Sequence, residues 1–257
     1  MTNQILKLAI QTVDSGTSCC LATVTSVNGS GPRHNGSKML IYQSGDFDGT
    51  IGGGAFEYHI IEQAKKCLQL GKSTKIVVNL TTELGMCCGG KMEVFLEVLH
   101  PPEQLIIYGG GHVGRALSTL ANLTSYKVTV IDSREQWIDP HDFPEGVNCI
   151  YADPITAIDK LPFGIHTSHF ITTHSHAVDQ QILMKIYNRN CKWLGMIGSK
   201  TKRIKFLTRF KASGIDPQNL SHLHSPAGLE IGAETPMEIA ISIMAEIIQQ
   251  NTKKNTL

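Results

Sequence analysis

The stretch Leu105-Ile106-Ile107-Tyr108-Gly109-Gly110-Gly111-His112-Val113-Gly114-Arg115 carries the most specific chemical signal in the chain. Strand-forming residues run directly into Gly109, Gly111 and Gly114, which have the spacing G-x-G-x-x-G. In that motif the first glycine permits a tight strand-to-helix turn. The second lets a pyrophosphate approach the backbone, and the third brings helix against strand. A helix from Val113 to about Asn122 would offer unpaired N–H groups and its positive dipole end to the anion. Further along, Lys127 to Ile131 reads as a second strand ending in Asp132, where the fingerprint expects an acid for a ribose hydroxyl.

Other polar groups fall where strands should end. They are His112, the run Thr172-Thr173-His174-Ser175-His176 with Asp179, and Gly198-Ser199-Lys200. In an open α/β sheet such ends face the ligand, so His112, His174 and Ser199 are expected to line a nucleotide cleft. His174 and His176 lack a third ligand at standard spacing, and no metal site is expected. Lys200, Lys202 and Arg203 either meet a phosphate or form a solvated face, and His222 and His224 read as ordinary loop residues. Nearer the N-terminus, Gly52-Gly53-Gly54 before a helix is either an anion cradle or a flexible connector. Cys87 and Cys88 among glycines are either buried residues or the place of a reactive thiol, since exposed N–H groups lower a thiol's pKa.

These groups need elements to hold them. Apolar spacing predicts a helix over 5–13, strands over 20–27 and 38–42, a turn at 44–46, and a helix from Ala55 to about Leu70. Strands over 75–80 and 92–99 follow, and His100-Pro101-Pro102-Glu103-Gln104 reads as a boundary stiffened by its prolines. Beyond it strand and helix alternate, with strands over 148–151, 168–172 and 192–197 and a basic helix to about Ser213. Thr235-Pro236-Met237-Glu238 fits a capping box opening a last helix. Its apolar face (Ile239, Ala240, Ile243, Met244, Ile247, Ile248) serves the core or a second protomer, the latter making a homodimer. The expected fold is α/β: a smaller α+β domain over 1–100, then a Rossmann-like parallel-sheet domain over 105–257.

Bulk properties narrow the function classes. The 257 residues suffice for two modest cores, and 23 Lys+Arg against 22 Asp+Glu give no field to recruit nucleic acid or an anionic membrane. No apolar run is long enough to span a bilayer, and the N-terminus does not resemble a signal peptide. Seven irregularly spaced cysteines read as reduced thiols, which places the chain in the cytoplasm.

Several stretches coincide with a known pattern. They are Gly29-Ser-Gly-Pro-Arg33 with Gly36, Gly49-Thr-Ile-Gly-Gly-Gly54 with Glu57, Cys88-Gly-Gly90 before Glu93-Val-Phe-Leu-Glu97, and Tyr108-Gly-Gly-Gly-His-Val-Gly114. Thr173-His174 with Asp179-Gln180, Leu194-Gly-Met-Ile-Gly-Ser199 with Lys202-Arg203, Pro226-Ala-Gly-Leu229 and Ile231-Gly-Ala-Glu-Thr-Pro236 complete it. Over nearly its whole length the chain thereby resembles the xanthine dehydrogenase accessory proteins, the XdhC/CoxI family. The resemblance implies a maturation factor that binds molybdenum cofactor, protects it, helps to sulfurate it and delivers it to a molybdenum hydroxylase such as xanthine dehydrogenase. A cysteine desulfurase is the second partner it implies. Family members usually carry a cysteine directly after the glycine triplet, whereas Ala55 stands here; the resemblance then implies either that this thiol function is lost or that Cys88 carries the task alone.

Residues and resemblance meet at the ligand. Molybdopterin in its cytosine dinucleotide form contains a pyrophosphate, and a G-x-G-x-x-G turn does not distinguish that ligand from NAD(P). Two functions are therefore expected to compete. One is a non-catalytic carrier, with the molybdenum-dithiolene end facing the Gly52–Gly54 and Cys88 loops. The other is an NAD(P)-dependent oxidoreductase, for which His174 and Asp179 offer the nearest approach to an acid–base pair.

Overall fold

The computed structural model describes residues 2–29, 32–83 and 90–253. The chain divides into two compact units, Met1–Pro102 and Glu103–Leu257.

The first unit contains α1 (Thr2–Asp14), β1 (Cys19–Asn28), β2 (Lys38–Tyr42), β3 (Phe47–Gly49), α2 (Gly54–Leu70), β4 (Thr74–Asn79) and β5 (Lys91–Leu99). Its strands form one antiparallel sheet in the order β3-β2-β1-β5-β4. The period-two alternation of side chains sends Cys20, Ala22 and Val24 to one face, where they pack with Phe56, Ile60, Ala64 and Cys67 of α2. Cys19 and Leu21 point to the other face, against Ile5 and Ala9 of α1. The helix expected over 5–13 thus starts and ends slightly outside those bounds. The strand β3 was not anticipated: three residues are too few to show periodicity, and only the turn before it could be read. Burial pushes the Cys19 thiol up to about 11 and the Cys20 thiol to about 12, so neither supplies a thiolate.

The second unit runs β6 (Gln104–Tyr108), α3 (His112–Asn122), β7 (Lys127–Asp132), β8 (Asn148–Tyr151), α4 (Pro154–Ala157), β9 (Gly164–Ile171) and α5 (His176–Ile186). It continues with β10 (Cys191–Met196), α6 (Lys200–Ala212), β11 (Leu223–His224) and α7 (Pro236–Lys253). All six strands are parallel, in the order β11-β10-β9-β6-β7-β8. Counted from β6 this is 3-2-1-4-5-6 reversed, the doubly wound dinucleotide-binding topology, with its switch point between β6 and β9. Strands buried on both faces read as continuous apolar runs: Leu105 and Ile107 pack toward α3 and α7, while Ile106 and Tyr108 pack toward α5 and α6.

Two features depart from simple strand–helix alternation. Between β7 and β8 the chain makes only two 3-10 turns, Glu135–Trp137 and Pro140–Asp142. Asp139 caps the second through the His141 N–H (3.0 Å), and Pro140 and Pro144 leave no room for a longer helix. In the last helix, Ala240, Ile243, Met244 and Ile247 lie inside the unit beside α3 residues, so the core takes that face, while Ile248 is half exposed. The expected capping box is present: Thr235 N–H donates to Glu238 Oε2 (2.9 Å) and Glu238 N–H to Thr235 Oγ1 (3.3 Å). Among the described residues no helix is long and apolar enough to cross a membrane.

Candidate functional site

The carboxyl ends of β6, β7, β9 and β10 lie side by side. Gly109 N–H donates to Ile131 O (2.8 Å), Thr172 N–H to Tyr108 O (2.9 Å) and Ile197 N–H to Ile171 O (2.9 Å). These bonds continue the sheet one residue past its strands and bring Gly109–Gly114, Asp132, Thr172–His174 and Ile197–Ser199 to one edge.

Each glycine of the turn has a distinct reason to be there. Gly109 has φ +121, and a Cβ on it would lie 2.3 Å from Thr172 O. A Cβ on Gly110 would lie 2.0 Å from Trp137 O, because the segment after β7 folds back onto the turn. On Gly114 it would lie 2.0 Å from Gly109 O, the close approach of helix to strand. Around Gly111, by contrast, a Cβ would meet nothing within 4 Å. Its side-chain position opens outward, as the glycine facing a pyrophosphate must. His112, the first residue of α3, is exposed, with its ring edge-on to Trp137 at 5.1 Å.

Asp132 departs from its expected role. Its carboxylate turns inward, with the side chain 3% exposed. Oδ1 accepts from the Arg134 N–H (3.0 Å) and Arg134 Nε (2.9 Å), and Oδ2 from the Gly110 N–H (2.8 Å) and Arg134 Nη2 (2.7 Å). Burial alone would raise this carboxyl. The bonds from the Arg134 side chain and from the Gly110 and Arg134 N–H groups outweigh it and hold the group below the usual range. Asp132 therefore closes the glycine turn and does not present a free acceptor to a ribose. Arg134 and Trp137, which shape this corner, were not singled out in the sequence. The arginine two residues after the acid was the available signal, since such arginines serve some dinucleotide sites, and Trp137 gave none.

At the other end of the edge, Asp179 gathers three segments. Thr173 donates to its Oδ1 through both N–H (3.0 Å) and hydroxyl (2.6 Å), and Lys202 Nζ reaches Oδ2 (2.8 Å). Lys202 also donates to Ile197 O (3.0 Å), and Gly198 makes room for it, since a Cβ there would lie 2.5 Å from Lys202 Cδ. Lys202 is thus spent on a buried ion pair, neither free for a phosphate nor part of a solvated face. Lys200 pairs with Glu230 at the surface (2.8 Å). Ser199 caps α6 by accepting from the Lys202 N–H (3.2 Å), and His174 stands exposed. His224, expected in a loop, belongs to β11, and its Nδ1 lies 2.8 Å from Glu246 Oε1. Among the described residues no group of three or more His, Cys, Asp or Glu could hold a metal ion.

In the first unit, Gly52-Gly53-Gly54 do lie at a helix entrance, with Gly53 as the N-cap of α2. The anion they meet is the protein's own. Glu57 Oε1 accepts from the N–H groups of Ile51 (2.8 Å) and Gly52 (3.1 Å) and from Thr50 Oγ1 (2.5 Å). Burial would raise this carboxyl, but the bonds from Thr50 and from the Gly53, Ile51 and Gly52 N–H groups hold it below the usual range. Of the two readings of this loop, cradle or connector, the structure shows a cradle whose Ile51 and Gly52 N–H groups already hold Glu57. Ala55 is exposed in the first turn of α2. Cys87 and Cys88 lie outside the described residues.

Comparisons with known proteins agree with this division. The sequence profile of the XdhC Rossmann domain matches residues 105–247, and that of the XdhC and CoxI family matches residues 12–80. A protein of Escherichia coli (strain K12) named uncharacterized protein YqeB is 34% identical over 234 residues, 89% of this chain and 43% of that protein. A protein of Bacillus subtilis (strain 168), named as a probable subunit of xanthine dehydrogenase, is 35% identical over 156 residues, 61% of this chain and 45% of that protein. The chain thus spans under half the length of these curated relatives. A crystal structure of a xanthine dehydrogenase from Bacillus halodurans superposes with a TM-score of 0.54 at 22% identity, covering 97% of this chain and 96% of that one, a likeness of fold.

Proposed function

Because the chain belongs to the XdhC and CoxI family, we propose that it is an accessory protein of a molybdenum hydroxylase of the xanthine dehydrogenase kind. It binds molybdenum cofactor, protects it, helps to sulfurate it and delivers it, acting in the cytoplasm as a carrier. The observation that carries this reading is the open face of Gly111 at the carboxyl edge of a doubly wound sheet. A pyrophosphate fits there and a side chain would obstruct it, which suits the cytosine dinucleotide form of the cofactor.

The chain's own residues do the following. Gly109–Gly111 and the first turn of α3 present N–H groups to the pyrophosphate, with the helix dipole adding to their field. His112, His174 and Ser199 line the same edge and orient what lies across it. Cys88 supplies the soft thiolate suited to molybdenum or to a sulfur atom in transit, a sulfur that a cysteine desulfurase would provide. When bound, the cofactor supplies the redox and oxygen-transfer chemistry that the client enzyme uses. An NAD-dependent oxidoreductase would ask Asp132 for a free ribose acceptor, and its carboxylate is fully engaged.

The test is the small molecule that copurifies with the full-length protein. Mass spectrometry should find a molybdopterin species in the wild type and much less in folded Gly111→Ala. A nicotinamide nucleotide in its place, with NAD(P)H-dependent turnover, would reject the carrier reading.

A further inference from the structure

A carboxylate offers about four lone-pair positions. Asp132 commits all of them inside the protein, to the Gly110 N–H, the Arg134 N–H and two nitrogens of the Arg134 guanidinium. In dinucleotide sites of this topology the acid after the second strand ordinarily accepts from the adenosine ribose. That acceptor is absent here, and what remains at the end of β7 is a donor. Arg134 keeps 25% of its side chain exposed, and its Nη1 has no partner among the described residues.

The arginine is also held still. Its fork grips Asp132 through Nε and Nη2, and its guanidinium lies 5.2 Å over the Trp137 ring. Trp137 in turn is fixed by its carbonyl against Gly110, by Arg115 at 5.2 Å over the ring and by the His112 ring at 5.1 Å. Arg115 ties this corner to the turn by donating from Nε to Gly110 O (3.1 Å) and from Nη2 to Gln136 O (3.1 Å). A donor whose rotamer is locked by its surroundings loses little freedom on meeting an acceptor.

We propose that Arg134 is the specificity-determining residue of the nucleotide turn, selecting a nucleoside end that carries an oxygen able only to accept over adenosine, whose ribose hydroxyls must also donate and find Asp132 engaged. Two chemical sources satisfy that description, a 2′-phosphate and a pyrimidine carbonyl. The inference rests on the reading that the turn takes a pyrophosphate, and it adds which nucleotide the turn accepts. Neutralised by Asp132, the guanidinium contributes geometry more than net charge, which favours a planar, directed contact.

Calorimetry on the full-length protein tests it, with four probes: inorganic pyrophosphate, ADP, ADP bearing a 2′-phosphate, and CDP. Pyrophosphate should bind to the wild type and fail to bind to Gly111→Ala, which reports on the turn itself. One or both acceptor-bearing nucleotides should bind at least about tenfold tighter than ADP, and the tighter of the two names the source. In Arg134→Gln that preference should shrink to within about twofold while pyrophosphate binding survives. Should Arg134→Gln not fold, the double variant Asp132→Asn/Arg134→Gln removes both charges together and answers the same question. ADP binding as tightly as the other two, or a preference that outlives the loss of Arg134, overturns the inference alone. Silence from pyrophosphate and all three nucleotides overturns the reading of the turn and this inference with it.

Discussion

Lys202 Nζ sits 2.8 Å from Asp179 Oδ2, and the two side chains are 11% and 0% exposed. This ion pair joins the first turns of α5 and α6 across the ends of β9 and β10. Through Thr173 it also sets the strand-end residues whose backbone abuts Gly109. Breaking a buried pair from one side leaves a charge uncompensated, at a cost of about 3–5 kcal/mol. Lys202→Met should therefore lose stability of that order in urea denaturation. The double variant Lys202→Met/Asp179→Leu should recover much of it. Equal stability of Lys202→Met and wild type would mean that solvent reaches the carboxylate.

The glycines of the turn should separate by experiment. Gly111→Ala places its methyl in open space and should leave the melting temperature unchanged, while dinucleotide affinity falls roughly tenfold or more. Gly114→Ala drives a methyl against Gly109 O and should cost about 1–3 kcal/mol of stability. A Gly114→Ala protein as stable as Gly111→Ala would contradict the close helix–strand approach.

His169 gives a pH signature. Burial, with a smaller contribution from Arg189, lowers its pKa from 6.5 to about 3, and its Nδ1 lies 3.1 Å from the Tyr108 hydroxyl. Below pH 6.5 the unfolded chain takes up a proton that the folded ring refuses. Stability should thus be level above that pH and fall as pH drops, at a slope approaching ~1.4 kcal/mol per unit. The Glu57 and Asp132 carboxyls, held below the usual range, add no transition between pH 6.5 and 5 that would mask the effect. His169→Phe should flatten the slope there, and denaturation midpoints against pH measure both proteins.

Cys88 carries the sulfur part of the proposed function. Cys88→Ser should impair cofactor retention or client activation in a reconstitution assay, and Cys87→Ser should do so much less. Nucleotide binding should be unchanged in both, since the glycine turn belongs to the second unit. Client activation undiminished in Cys88→Ser would remove the thiol from the mechanism.

What the sequence made legible was local. Gly109 and Gly114 could be assigned because a positive φ or a close backbone approach constrains the residue type on its own. The Thr235–Glu238 box was legible for the same reason, as was the apolar run at Leu105–Tyr108. The fate of each carboxylate was not. Asp132 could have pointed at a ribose or at Arg134, and only the folded turn, with the Gly110 N–H and the Arg134 fork both on the carboxylate, decides between them. Likewise nothing in the spacing of Lys202 and Asp179, 23 residues apart, announces a contact. The two-residue β11 is too short to leave a period, so His224 looked like loop.

The Glu57 carboxylate held by the loop at Ile51–Gly52 makes that loop a receptor already carrying its guest, tethered by the first turn of α2. Cutting the tether should empty it. In Glu57→Ala the N–H groups of Ile51 and Gly52 lose their acceptor, and the variant should lose about 1–3 kcal/mol. A small free carboxylate can then take the vacated place. Formate at tens of millimolar should raise the melting temperature of Glu57→Ala more than that of the wild type, and chloride should not reproduce the rescue. Residue 57 and the glycine triplet are in this sense host and guest of one complex, written into a single chain.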